Sequence, residues 1–354
     1  METHNFFMGA LLVVTALLIS WGMKNLCREQ WQILAAVPTS RDSSGSWSGL
    51  NLTFYGLFSA NAYVAGALLF IIFSGAIGMP LRAIATVTGA LLVLCVPASS
   101  LIARIVEKKS SVFTVAGGFF SALIILPLIV MIVRKIPGCG GEHSLPLMPL
   151  LAASGIAYSY AAGIGTLACM SFGCCYGKPL AACGPLLQKI FAGRCFVFLG
   201  ETKKISYAHS LDTLPVLPVQ ALTAVIYTSS AIATGFLFIY GFYAEAFFIT
   251  VLITQGWRFV SEFIRADYRG GGKLTAYQIM ALIAIGYAVI FMFLPVAELN
   301  GIAPVCDIRE GLRCVWRPDT ILLLQVLWLC IFLYTGRSKV TGSRISIFVR
   351  RERV

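Results

Sequence analysis

Residues 54–76 read FYGLFSANAYVAGALLFIIFSGA, a stretch that contains no Asp, Glu, Lys or Arg. An α-helix needs about 20 mostly apolar residues to cross the hydrocarbon core of a bilayer, which is about 30 Å thick. A helix on the surface of a soluble protein keeps a charged face, and this stretch has none. It therefore predicts a transmembrane helix.

The composition of the whole chain agrees with a membrane protein. Of its 354 residues, 58% are hydrophobic and only 12% are charged, and the mean hydropathy is +0.85. Soluble domains carry about twice that charged fraction. The composition excludes a disordered chain, a collagen, a coiled coil and a soluble enzyme. The net charge of +12 favours contact with anionic lipid or control of topology. We expect no nucleic-acid partner, because no basic patch alternates with stacking aromatic residues on a soluble domain.

Eight further apolar runs are similar to residues 54–76 in length. The nine predicted transmembrane helices cover 6–23, 54–76, 81–103, 112–133, 147–169, 218–241, 244–264, 275–296 and 318–335. The first run is not a good signal peptide, because the residues before it include Glu2 but no Lys or Arg. We therefore expect it to remain as a helix. The predicted fold class is an all-α polytopic membrane protein.

Polar stretches divide the chain into three regions. The Ser/Thr-rich stretch from Thr39 to Gly49 indicates a linker, so residues 1–50 are predicted to form an added helix and its linker. Residues 51–296 form the main bundle. Within it, residues 173–217 are polar, rich in Gly and Pro, and long enough to form a small head on the membrane surface. Residues 297–354 comprise a loop, the last helix and a basic tail.

Histidine and cysteine give no clear metal site. The only histidines are His4, His143 and His209, all outside the predicted helices, which excludes a haem held by two membrane histidines. The eleven cysteines follow no regular spacing. Cys306 and Cys314 have seven residues between them, and a disulfide or two free thiols fit equally well. We expect no metal and no cofactor.

The seventh predicted helix carries charges inside the bilayer, where they are costly and usually functional. It reads Gln255-Gly-Trp-Arg258-Phe-Val-Ser-Glu262-Phe-Ile-Arg265, and helical spacing puts Arg258, Glu262 and Arg265 on one face. They could form an ion pair that only locks helices together, with Arg265 reaching the interface. The functional interpretation is that Arg258 binds a lipid phosphate while Glu262 orients it or accepts a proton.

A second candidate cluster joins the fifth helix to the head. It reads Gly165-Thr-Leu-Ala-Cys-Met-Ser-Phe-Gly173-Cys174-Cys175-Tyr-Gly177-Lys178-Pro179. Gly173 and Gly177 allow close approach of the backbone, and free N–H groups near Lys178 would suit an anionic headgroup. We interpret the adjacent cysteines Cys174 and Cys175 as packing residues without chemistry, because no His, Asp or second CxxC lies nearby.

Two polar residues mark the starts of other helices. Tyr55 opens the second helix, where a tyrosine is most often an interfacial anchor. Gln220 opens the sixth, and it must form hydrogen bonds inside the bundle or line a polar cavity.

Taken in order, these motifs resemble the prolipoprotein diacylglyceryl transferase family. The motifs are Tyr55-Gly56-Leu57, Gly117-Gly118, Gly173-Cys-Cys-Tyr-Gly-Lys-Pro179, Pro218-Val219-Gln220 and Arg258-x-x-x-Glu262-x-x-Arg265, over about residues 51 to 296. The resemblance implies a seven-helix bundle with a surface head and a central lipid-filled cavity, here with one helix added at each end. It makes Tyr55, Arg258 and Glu262 the catalytic residues.

The same resemblance implies a substrate-binding set and a reaction. The set is Gly173, Gly177, Lys178, Gln220 and Arg265. The implied reaction moves the diacylglyceryl group of phosphatidylglycerol to the cysteine thiol of a lipobox-containing prolipoprotein, in the bacterial inner membrane. The alternatives are a transferase with another acceptor and a non-catalytic lipid-binding or transport protein.

The chain departs from the family pattern where the family carries polar groups. These positions hold Leu91, Ala116, Thr166, Cys169 and Leu217. The missing groups are those that would bind phosphate and help to activate the acceptor, so inheritance of the fold is safer than inheritance of the reaction.

Two rules disagree on the orientation. The family places the head outside the cytoplasm, whereas Lys and Arg are more numerous on the head side, which the positive-inside rule assigns to the cytoplasm. We expect the family orientation, because transferring a short basic tail costs little once the bundle is fixed.

Overall fold

The computed structural model describes residues 2–43, 45–107, 114–139, 145–267, 274–293 and 305–354. In these ranges the protein is mostly helical. The helices are α1 (Glu2–Asn25), α2 (Phe54–Ala76), α3 (Leu81–Glu107), α4 (Val115–Val133), α5 (Leu147–Phe172), α6 (Pro185–Phe191), α7 (Lys204–His209), α8 (Val219–Ile239), α9 (Tyr243–Ser261), α10 (Ala276–Phe293), α11 (Ile308–Val315) and α12 (Pro318–Thr335).

Eight of these helices are long and apolar enough to cross a membrane, which confirms a polytopic membrane protein. They are α1, α2, α3, α4, α5, α8, α10 and α12. The predicted runs at 54–76 and 318–335 coincide with α2 and α12, and the other predicted runs differ from their helices by a few residues. The ninth long helix, α9, is not among the eight. Its sequence contains Glu245, Gln255 and Arg258.

A three-stranded antiparallel sheet accompanies the helices. Strand β1 (Ile33–Arg41) pairs with β2 (Trp47–Thr53), which pairs in turn with β3 (Arg337–Ile345). The linker interpretation of Thr39 to Gly49 is therefore wrong, since this stretch lies within the β1–β2 hairpin. Part of the basic tail is a strand as well, because it completes the backbone hydrogen bonds of β2.

The sheet indicates that α9 crosses the bundle. In the described part of the chain between β2 and β3 lie eight long helices, namely α2, α3, α4, α5, α8, α9, α10 and α12. Eight crossings return the chain to the side from which it started, and seven would leave the paired strands on opposite sides. The hairpin, the head and the tail consequently share one side, which we call the head side.

The central helix of the bundle is α5. It packs against α2, α8 and α9, and 78% of its most apolar window is buried. Small residues allow this packing, because a Cβ at Gly163 would lie 2.7 Å from the Thr228 methyl group. Helix α1 lies against α8, and α11 and α12 lie against α2, so both terminal regions flank the bundle.

The head contains two short helices, α6 and α7, and backbone hydrogen bonds fix it to the bundle. The N–H of Lys178 donates to the carbonyl of Ile264 at 2.9 Å, and the N–H of Leu217 donates to the carbonyl of Lys178 at 3.0 Å. A Cβ at Gly177 would lie 2.5 Å from the Leu217 carbonyl oxygen. Only glycine therefore fits between these two segments.

Candidate functional site

The head-side end of α9 holds a buried ion pair inside the bundle. Arg258 Nη2 lies 3.8 Å from Glu262 Oε1, and the two side chains are 12% and 4% exposed. The Arg258 guanidinium also lies 5.2 Å from the centre of the buried Tyr277 ring on α10. Glu262 directly follows the last helical residue, Ser261, in a helical backbone conformation. The predicted pair thus exists, one turn apart and shielded from solvent.

The donors of Arg258 are not all used. Its Nε and Nη2 atoms are buried and have no hydrogen-bond partner among the described residues. The separation of 3.8 Å from Glu262 is too long for a hydrogen bond. A buried donor without a partner costs about 1–3 kcal/mol, and more when the group is charged. These two nitrogens of Arg258 can therefore donate hydrogen bonds to the oxygen atoms of a further group.

Arg265 lies near this pair but has another role. Helix α9 ends at Ser261, so the prediction of one continuous helical face through Arg265 is wrong. Arg265 Nε and Nη2 donate to the two carboxylate oxygens of Asp267 at 2.9 and 3.1 Å. Burial lowers the pKa of Arg265, but Cys175 and Asp267 raise it more, so that it lies well above its usual range. Its donors to Asp267 hold the turn after α9.

Two tyrosines from neighbouring helices extend the polar environment of Arg258. Sequence analysis missed both, because each lies in an otherwise apolar helix. Tyr158 on α5 stacks on Phe119 with ring centres 4.0 Å apart. Its hydroxyl is buried and makes no hydrogen bond to another described residue. Tyr227 on α8 donates to the Thr254 carbonyl at 2.9 Å. Arg258 interacts electrostatically with both tyrosines, so the site spans α5, α8, α9 and α10.

In the glycine-rich turn after α5, three of the N–H groups that the sequence predicted to be free are bonded to backbone carbonyls. Gly173 takes the left-handed conformation, with φ of 70°, and ends the helix. The N–H groups of Gly173 and Cys174 both donate to the Cys169 carbonyl, at 2.9 and 3.1 Å. The N–H of Lys178 is bonded to Ile264, while its side chain is exposed. This turn serves to join the head to the bundle.

Gln220 and Tyr55 lie close to the same turn. Gln220 Nε2 donates to the Cys174 carbonyl at 2.7 Å, which confirms the prediction of a hydrogen bond inside the bundle. The Gln220 Oε1 atom is buried and accepts no hydrogen bond from the residues that the structure describes. Tyr55 packs on Phe172 with ring centres 5.5 Å apart and lies within electrostatic reach of the thiol of Cys175.

Four of the five positions that depart from the family pattern are apolar in their surroundings or bonded within their own helix, and the fifth, Cys169, lies beside Cys174 and Cys175. Ala116 and Leu217 are buried, and Leu91 packs at the edge of the core. The Thr166 hydroxyl donates to the Gly163 carbonyl of its own helix at 2.7 Å. Such a hydroxyl stabilises α5 locally and is not directed at a ligand.

A buried lysine in the head was not predicted. Lys203 is 0% exposed, and its ammonium donates to the carbonyls of Leu26, just after α1, and Ser171, in the last turn of α5, at 3.3 and 2.6 Å. Burial lowers its pKa to about 8. Because helix C-termini leave carbonyls without partners, one lysine here caps two helices.

The remaining predicted cysteine and histidine features are structural or lie elsewhere. Cys306 and Cys314 are free thiols. His209 shares a hydrogen bond with the Tyr176 hydroxyl, and His4 lies near the start of α1. His143 is outside the described residues.

Comparison with known proteins supplies no relative. No protein-family model, no curated protein and no solved structure matches this chain.

Proposed function

We propose that the protein is a membrane glycerolipid transferase that binds phosphatidylglycerol through Arg258 and moves its diacylglyceryl group to a cysteine thiol. The supporting observation is that two buried Arg258 nitrogens have no hydrogen-bond partner within the described ranges. The proposal includes a bundle of α2–α5 and α8–α10 arranged as in the diacylglyceryl transferase family, with α1 and α12 added. It also includes the bacterial inner membrane as location and a lipobox-containing prolipoprotein as acceptor.

An anionic phospholipid suits the chemistry of Arg258. A guanidinium presents a planar fork of N–H donors that matches two phosphate oxygens. Arg258 lies three residues before the end of α9, about 4.5 Å of helical rise from the head side. A phosphate at that depth belongs to a lipid whose acyl chains extend into the bilayer. Glu262 offsets the arginine charge while no lipid is bound.

The reaction would use the same two charges. The acceptor thiol loses its proton and its sulfur attacks the glyceryl carbon, so that a C–S bond forms as the C–O bond to phosphate breaks. Glycerol phosphate leaves with the electron pair, as an anion. Arg258 stabilises this charge inside the bundle, and Lys178, exposed on the head side, attracts it outward. Glu262 accepts the thiol proton, or Tyr55 assists its removal through a hydrogen bond, since the thiolate is the nucleophile.

One observation favours a second candidate function, lipid binding without catalysis. Leu91, Ala116 and Leu217 are apolar where the family carries polar groups. A protein that kept Arg258 and lost these groups would hold an anionic lipid and leave it unchanged. A transferase that uses another acceptor explains the same losses.

The test is turnover of labelled phosphatidylglycerol in proteoliposomes with a lipobox peptide. We expect released glycerol phosphate and a lipidated peptide with the wild type, and neither with Arg258→Ala. The matched control is Arg317→Ala, because Arg317 is an arginine whose pair with Asp319 is exposed. Binding without turnover would support the lipid-binding candidate, and turnover with an unrelated thiol would support another acceptor. Unchanged turnover in Arg258→Ala would contradict the proposal.

A further inference from the structure

Three cysteines meet at the head-side end of α5. The thiol sulfurs of Cys169, Cys174 and Cys175 all lie within 4.8 Å of one another. Cys169 is on the last turn of α5, and the left-handed turn at Gly173 folds the next two residues back against it. Sequence spacing alone did not indicate this cluster, because a helix end separates its members.

The backbone at this place is held in an unusual conformation. Cys175 is one of three described residues other than glycine with positive φ, at 58°. Positive φ at such a residue costs about 1 kcal/mol or more and persists where the surroundings require it. Here the hydrogen bond from Gln220 to the Cys174 carbonyl holds the chain in place. The strained turn keeps the three thiol sulfurs close together.

A positive charge faces the cluster. The Arg265 guanidinium is buried and interacts electrostatically with Cys175. Cys174 is buried and the other two cysteines are partly buried. The site is therefore screened from bulk water, and the guanidinium of the Arg265–Asp267 ion pair lies beside it.

We infer that Cys169, Cys174 and Cys175 form a binding site for a thiophilic metal ion such as Zn²⁺. Zinc–thiolate bonds of about 2.3 Å place tetrahedral sulfurs about 3.8 Å apart. The sulfurs thus need to converge by about 1 Å at most from their present separation. Three protein ligands leave a fourth coordination position open. The inference goes beyond the proposed transferase and does not depend on it.

Charge and protons balance in this step. One Zn²⁺ displaces the three thiol protons to solvent, and the resulting complex of one zinc and three thiolates carries one negative charge. The guanidinium of Arg265, although paired with Asp267, lies close enough to Cys175 to offset part of that charge. No electron transfer is needed, so the site requires no oxidant or reductant.

The test is titration of the purified full-length protein in detergent with Co²⁺, followed by displacement with Zn²⁺. Cobalt bound by thiolates gives sulfur-to-metal charge-transfer absorption in the near ultraviolet. We expect this absorption to reach its maximum at one equivalent of Co²⁺ and to disappear when Zn²⁺ is added. We expect Cys175→Ser to weaken Co²⁺ binding at least about tenfold. The control is the double variant Cys183→Ser/Cys195→Ser, which removes two other head thiols that lie near each other.

Each outcome decides the inference. Absorption in the wild type and in the control, weakened in Cys175→Ser, supports it. No charge-transfer absorption in the wild type, or equal loss in the control, overturns it. Should Cys175→Ser not fold, the mass of the intact wild type decides. A mass higher by one zinc atom, minus the three displaced protons, supports the site. An unchanged mass overturns it.

Discussion

Lys203 and Arg258 are both buried cations, and their hydrogen bonds differ. The Lys203 ammonium bonds to two backbone carbonyls at the ends of α1 and α5. Arg258 has two buried nitrogens that receive no hydrogen-bond partner from any residue that the structure describes. A cation that caps backbone is part of the scaffold, whereas a cation with unused donors has capacity for a ligand. The difference separates a structural charge from a candidate functional charge without reference to any relative.

The largest expected effect is the loss of turnover on removal of Arg258, the candidate functional charge. We expect Arg258→Ala to lower turnover of phosphatidylglycerol by about 100-fold or more, because it removes charge stabilisation in a region of low dielectric constant. The protein should remain folded in detergent, as judged by its elution from a size-exclusion column. Near-normal turnover would reduce the Arg258–Glu262 pair to a lock between helices.

The next effect is on stability. We expect Lys203→Met to lower the free energy of unfolding by about 2 kcal/mol at pH 9.5, because two buried carbonyls lose their donor. Lipid binding should not change. Thermal unfolding in detergent, with phosphatidylglycerol retention measured in parallel, checks both points.

The pH dependence of that effect has a defined sign. The pKa of Lys203 falls from 10.5 to about 8 on folding, so between these values the unfolded chain binds more protons than the folded protein. Stability from this group therefore rises with pH over that window. The stability lost in Lys203→Met should be larger at pH 9.5 than at pH 7. A loss that shrinks as the pH rises would contradict the assignment of Lys203 as a buried, desolvated cap.

A smaller effect tests how the head is fixed. We expect Gly177→Ala to cost about 1.5 kcal/mol of stability, because its Cβ would contact the Leu217 carbonyl oxygen and one of the two segments must move. The control is Gly184→Ala, where a Cβ meets nothing within 4 Å and φ is −67°. Chemical unfolding of both variants compares them. Equal stability would mean that the Gly177 contact does not hold the head.

The orientation test should leave stability and turnover unchanged. The pairing of β2 with β3 places Val354 on the same side as the head. In the family orientation, phosphatase fused at Val354 is active and a fluorescent protein fused there is dark. Fluorescence without phosphatase activity would place the head in the cytoplasm and exclude a secreted lipoprotein precursor as acceptor.

Local and non-local features differ in how well the sequence predicted them. The apolar runs predicted α2 and the other long helices, because helix formation in a bilayer depends on the composition of each segment alone. The sheet escaped detection, since β2 pairs with residues 337–345, far along the chain. The end of α9 at Ser261 also escaped, because no Gly or Pro marks it.

The candidate site was predicted in part for the same reason. Arg258 and Glu262 were found because charges stand out within an apolar helix. Lys203 was missed because a lysine in a polar stretch is normally exposed, and only its distant carbonyl partners bury it. Cys169 joins Cys174 and Cys175 through the turn at Gly173, a feature of backbone geometry and not of spacing.

The most direct test of the central claim is phospholipid retention by the purified protein. Wild type, Arg258→Ala and the exposed control Arg317→Ala would be mixed with equal amounts of phosphatidylglycerol and phosphatidylcholine, and bound lipid counted by native mass spectrometry. We expect the wild type and the control to retain phosphatidylglycerol selectively, and Arg258→Ala to lose this retention. Equal retention of phosphatidylglycerol by Arg258→Ala would contradict the assignment of Arg258 as the anionic lipid site.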